Sequence, residues 1–106
     1  MDINRVLETL RKYPPGALLV RKSVKSYTFS CTNVTIPAGT RVFIPVYAIH
    51  HDERYYPQPD EFDPERFDPE TEKARHPMIN LGFGNGPRNC IGQLILNFLI
   101  YKKVFF

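Results

Sequence analysis

Five prolines between Pro57 and Pro77 do more than any other feature to limit what this chain can fold into. Proline fixes φ and removes a backbone N–H, so it breaks helices and central strands alike. That stretch, YYPQPDEFDPERFDPETEKARHP in its longer form, can build only short turns and helical scraps. Its Phe62 and Phe67 are expected to pin it to a core. Long irregular connections inside a compact domain are uncommon and tend to be functional.

Regular structure is expected on the N-terminal side. Ile3, Val6, Leu7 and Leu10 keep the i, i+3, i+4, i+7 spacing of an amphipathic helix, which Asp2 caps and Tyr13-Pro14-Pro15-Gly16 ends. Glu8 and Arg11 sit beside that apolar stripe. On an open surface such a pair contributes about 0.2–0.5 kcal/mol; at the edge of a buried face it becomes a fixed bridge. Leu18–Val20, Tyr27–Cys31, Val34–Ile36 and Arg41–Val46 are strand candidates. With the Pro37-Ala38-Gly39 turn between the last two, they predict a small antiparallel sheet. A helical scrap is expected to start at His50-His51-Asp52. Adjacent histidines do not converge on one ion in regular structure, so no metal site is read there.

The acids are unevenly placed. Nine of the eleven lie between Asp52 and Glu72, while residues 1–25 carry six Lys/Arg. A nucleic-acid footprint would be a basic stripe without such an acidic block, so no nucleic-acid partner is expected. No run reaches the ~18 apolar residues of a membrane span, and no signal-peptide pattern is present. Two cysteines without a CxxC pair make neither a disulfide framework nor a zinc site, and reduced thiols are expected.

One of those cysteines stands in FGNGPRNCIG, Phe83–Gly92. Three readings compete. Glycines ahead of a helix can cradle an anion, but the residues match neither a P-loop nor a dinucleotide fingerprint. Cys90 can be a small buried hydrophobe, which leaves the glycines, proline and arginine unexplained. Or it is a thiolate metal ligand at a helix start, where backbone N–H groups and the helix dipole lower a thiol's pKa. Glycines would then let the backbone approach a flat ligand, and Arg88 could meet a carboxylate on it. Haem, an iron that accepts a thiolate inside a macrocycle with propionates at its edge, fits this third reading.

The same decapeptide resembles the haem-binding signature of the cytochrome P-450 family, F-x-x-G-x-R-x-C-x-G, through Phe83, Gly86, Arg88, Cys90 and Gly92. Glu8-Thr9-Leu10-Arg11 is similar to the family's E-x-x-R helix, and Pro64-Glu65-Arg66-Phe67 to its PERF motif. YAIHHD and FDPERF resemble insect and other animal microsomal members. The resemblance implies that Cys90 is the axial haem ligand, with Phe83, Gly84, Gly86, Arg88 and Gly92 around the haem and Arg21 as a second propionate partner. It implies an ion triad of Glu8, Arg11 and Arg66, and a substrate pocket that includes Gly16, Ala17, Leu18 and Leu19. It implies a monooxygenase that puts one atom of O2 into a lipophilic substrate, with electrons from NADPH through a partner reductase. It also implies residence on the cytosolic face of the endoplasmic reticulum membrane, through an N-terminal anchor ahead of this segment.

The expected fold is an α+β fragment of a mainly α parent: one partial domain over 1–106. Its parts are a helix at 1–13, short strands over 17–47, a meander at 53–80, the thiolate loop at 82–92 and an atypical helix at 93–106. The family's long distal helix is expected to precede Met1, so the chain is read as a C-terminal fragment, inactive by itself. Where the family runs C-x-G-x-x-F-A, this chain has Ile95 and Leu96. A leucine in place of that alanine would overpack the haem at about 1–3 kcal/mol. Every residue of Leu94–Phe106 except Val104 has a codon made only of A and T, so the tail is read as non-coding sequence or a gene-model error. The rival readings are a partial-domain remnant that binds haem poorly or not at all, and a small cysteine-containing binding module without haem.

Overall fold

The computed structural model of the chain describes residues 2–95. Helix α1 spans Ile3–Lys12, and the Asp2 carboxylate accepts from the Asn4 amide at 3.0 Å, capping it as expected. Tyr13 closes the helix by donating its N–H to Thr9 O at 2.8 Å, just before the two prolines. The apolar stripe of α1 is only half-buried, whereas Glu8 and Arg11 are its fully buried residues.

Four short strands follow: β1 (Leu19–Lys22), β2 (Tyr27–Thr28), β3 (Thr35–Ile36) and β4 (Arg41–Ile44). They form two antiparallel ribbons rather than one sheet. β1 pairs with β4 from Leu19 opposite Ile44 to Lys22 opposite Arg41, and β2 pairs with β3. The Tyr27–Cys31 strand candidate stops at Thr28, because the chain turns between Phe29 and Val34 and Cys31 takes a left-handed φ of 60°. The Pro37–Gly39 turn is present, closed by Thr40 N–H donating to Pro37 O at 3.3 Å with Gly39 at φ 85°.

The Arg41–Val46 candidate ends at Ile44, because Pro45 ends the ladder and starts helix α2 at Val46–His50. That helix precedes His51 and Asp52 instead of starting at the histidines. The meander contains a 3-10 helix over Pro64–Phe67, capped by the Asp63 carboxylate, and helix α3 over Pro69–Lys73. Residues 92–95 are helical; the rest of the 93–106 helix and the crowding expected at Leu96 lie outside the described residues.

α1 packs against the Pro64–Phe67 helix and α2. Among the described residues the buried apolar side chains are Val46, Tyr56, Pro59, Phe67 and Leu81, and they share their interior with Glu8, Arg11, His50 and Arg66. Phe67 anchors the meander at 3% exposure, but Phe62 does not, at 47%. No helix among the described residues is long and apolar enough to cross a membrane.

Candidate functional site

Residues three apart on a helix share a face, so α1 aims Glu8 and Arg11 at one point. Arg11 Nε lies 2.6 Å from Glu8 Oε2, and Arg11 Nη2 lies 2.8 Å from Glu8 Oε1, a bidentate pair at 0% and 1% exposure. The remaining N–H groups of Arg11 donate to His50 O (2.8 Å), Pro59 O (2.8 Å) and Glu61 O (3.3 Å). Glu8 Oε1 also accepts the Asp63 amide at 3.0 Å. Arg66 brings its Nε to 3.5 Å from the same oxygen, a charge contact without hydrogen-bond geometry. Its other nitrogens donate to Pro57 O and Gln58 O.

The meander is thus tied down mainly through its carbonyl oxygens, the one backbone hydrogen-bonding group that proline keeps. That explains how so proline-rich a segment holds a fixed path with Phe62 left outside.

Three further residues belong to this interior, and none of them was read from the sequence as part of it. His50 is fully buried, with Nδ1 3.2 Å from Arg11 O and Nε2 accepting the Leu81 amide at 3.1 Å. Tyr56, also fully buried, has guanidinium carbons over its ring at 4.4 Å (Arg75) and 5.4 Å (Arg11). Arg75 further donates to Arg66 O at 3.2 Å. A signal for His50 was present: it follows Val46 by four residues, and both are the buried positions of α2.

The loop after Leu81 folds on itself. Gly84 N–H donates to Leu81 O at 3.0 Å, Asn89 N–H to Gly86 O at 3.2 Å and Cys90 N–H to Phe83 O at 2.7 Å. Gly84 and Gly86 take φ of 74° and 98°, a region that side chains other than glycine resist. Around Gly86 the space is open, so Gly86→Ala is expected to cost about 1–2 kcal/mol by conformation alone, read as a lower denaturation midpoint.

Cys90 presents an exposed thiol, and the Gly92 N–H points at its Sγ from 3.3 Å. A Cβ on Gly92 would lie 3.2 Å from that sulfur, so glycine keeps the approach open. Phe83 is half-buried and Arg88 exposed. Arg21 reaches the loop from β1, its Nη2 donating to Asn85 O at 2.9 Å. Leu19 is half-buried with its Cδ2 4.0 Å from where a Gly84 Cβ would be; Gly16, Ala17 and Leu18 are exposed. The structure therefore brings Glu8, Arg11 and Arg66 into one cluster, and Arg21 and Leu19 onto the Cys90 loop. Among the described residues no cluster of three or more His, Cys, Asp or Glu could hold a metal ion.

The family model described as Cytochrome P450 matches residues 4–95. The chain belongs to the cytochrome P450 family. It is 53% identical over 88 residues to probable cytochrome P450 6a13 of Drosophila melanogaster, covering 83% of this chain and 18% of that protein. It is 53% identical over 89 residues to cytochrome P450 6A1 of Musca domestica, covering 81% and 18%. To cytochrome P450 3A15 of Cavia porcellus it is 48% identical over 88 residues, covering 83% and 17%. The chain thus spans less than a fifth of the length of these P450 relatives, and that segment contains both the Glu8–Arg11 cluster and the Cys90 loop.

Proposed function

We propose that this P450 segment supplies the thiolate-bearing side of a haem monooxygenase, with Cys90 as the axial ligand. The observation that carries the reading is the exposed Cys90 sulfur, faced by the Gly92 N–H on a glycine-opened loop that starts at the buried Glu8–Arg11 interior. This donor set fits haem: one accessible thiol, an N–H to share its charge, and no side chain at Gly86 or Gly92 to block a flat ring.

Phe83, Gly84, Gly86, Arg88 and Gly92 would line the ring, with Arg88 and Arg21 available to its carboxylates. When bound, haem supplies the iron at which dioxygen is split, and thiolate ligation favours that cleavage. The chain's own part is to release the Cys90 proton, stabilise the sulfur charge through the Gly92 N–H, and fix the loop. Glu8, Arg11 and Arg66 hold the meander beneath it. Gly16, Ala17, Leu18 and Leu19 offer apolar surface to a lipophilic substrate. NADPH as electron source through a partner reductase, O2 as co-substrate and the endoplasmic reticulum membrane belong to the same proposal. So does the division of one partial domain into helix, strands, meander and thiolate loop.

A second reading, a partial domain that folds weakly and holds haem poorly by itself, is favoured by the broad apolar exposure. Leu18, Val20, Phe43 and Ile91 are 50–73% exposed. One spectrum separates the two. Haem is added to the purified chain, reduced and exposed to carbon monoxide. A strongly red-shifted Soret band that disappears in Cys90→Ala is the expected result. A histidine-like band, or one unchanged in Cys90→Ala, rules out the thiolate reading.

A further inference from the structure

We propose that His50 is a positioning residue for Cys90: its neutral imidazole joins the Glu8–Arg11 cluster to the point where the Cys90 loop begins. Nδ1 faces the Arg11 carbonyl at 3.2 Å, an acceptor, so Nδ1 carries the hydrogen. Nε2 is then left with its lone pair and accepts the Leu81 N–H at 3.1 Å. Of the two neutral tautomers only this one satisfies both of these contacts; the Ile79 carbonyl is a further acceptor beside the ring. Arg11 returns the contact, its Nη1 donating to His50 O at 2.8 Å, so the histidine is clasped by both the side chain and the backbone of Arg11.

From Leu81 the constraint continues along the loop. Leu81 O accepts Gly84 N–H, and Phe83 O accepts Cys90 N–H. The imidazole therefore fixes the base of the loop whose far end carries the sulfur, while Arg21 fixes its tip at Asn85. A protonated ring would aim a second N–H at the Leu81 N–H and release that base without touching the Glu8–Arg11 pair. The charged and titratable groups facing the ring are Arg11, paired with Glu8, from α1, neighbouring His51, and Tyr56, edge-on at 6.0 Å with Arg75 over its own ring. The consequence for a bound haem rests on the reading of Cys90 given above; the anchoring does not.

The test uses the full chain, first without haem. Glutamine can put an acceptor oxygen near the position of Nε2, whereas asparagine reaches only the position of Nδ1. His50→Gln is expected to keep the Leu81 amide protected from hydrogen exchange. His50→Asn is expected to speed that exchange by about ten- to a hundredfold, the loss of one buried hydrogen bond. In the unmodified chain, ring 15N shifts should show hydrogen on Nδ1 and a bare Nε2, a measurement that needs no variant to fold. Equal Leu81 exchange in the two variants, or hydrogen on Nε2, overturns the proposal. With haem added, His50→Gln should retain the thiolate-type carbon monoxide band and His50→Asn should lose a large share of it. If the unmodified chain gives no thiolate band while the exchange contrast persists, the haem reading falls and the anchor stands.

Discussion

Glu8→Ala is expected to destabilise the chain by about 3–5 kcal/mol, the cost of leaving buried charge without its partner. Two guanidinium groups converge on this one carboxylate, and Glu8 is itself fully buried. Arg11 would keep its carbonyl acceptors but lose its counter-charge, and Asp63 N–H would lose its acceptor. Replacing a whole buried ion cluster by apolar residues can be nearly neutral, whereas removing one member is not. Glu8→Gln keeps the shape and one acceptor, so it should fall between the wild type and alanine. Urea titration followed by circular dichroism reads the effect as a shift in midpoint. A change under about 1 kcal/mol for Glu8→Ala, typical of an exposed ion pair, would show that the cluster does not hold the meander.

Acidification below pH 6.5 is expected to weaken the fold through His50. Burial lowers the His50 pKa from 6.5 to about 4; repulsion from Arg11 and His51 adds to this, and bonds to the Arg11 and Ile79 carbonyls oppose it. Above pH 6.5 the ring is neutral whether the chain is folded or not, and its contribution is complete. Between pH 6.5 and 4 the unfolded chain binds a proton that the folded one refuses, so stability falls with pH. Discounted for solvent screening, the loss over this window is about 2 kcal/mol. Asp52 acts in a lower range. Hydrogen bonds from Arg54 hold its pKa at about 2, against 3.8, so its contribution disappears only as pH falls below 3.8. Denaturant midpoints at pH 7, 5.5, 4.5 and 3.5 check this, and a profile flat down to pH 4.5 that falls only at pH 3.5 would exclude His50 as the cause. His50→Gln should flatten the upper window.

The sequence shows the spacing of Glu8 and Arg11 and the glycines before Cys90, because helix periodicity and positive-φ turns are local properties. Although the family resemblance points to the triad, helix spacing alone does not show which reading of Glu8 and Arg11 applies. That depends on Pro59, Glu61 and Asp63, which lie some fifty residues away and arrive through backbone atoms that leave no compositional trace. Phe62 misleads for the same reason: an aromatic in a loop suggests an anchor, but Glu8 already holds the neighbouring Asp63 amide. The strand ends were legible only where a breaker stands. Pro45 marks the end of β4 in retrospect, whereas nothing in Phe29-Ser30-Cys31 announces that Cys31 turns left-handed. His50 is concealed by its neighbour, because a histidine pair beside an aspartate resembles a solvated helix end.

The carbonyl anchoring of the meander also bears on how this segment can drift. Every amino acid has a carbonyl, so Pro57, Gln58, Pro59 and Glu61 meet their guanidinium partners through atoms that substitution leaves in place. Selection can then hold the route of the segment by conserving Glu8 and Arg11 on α1 and Arg66 within it, while the rest of the lettering wanders. Its outward residues become raw material for new contacts, at little risk to the architecture beneath.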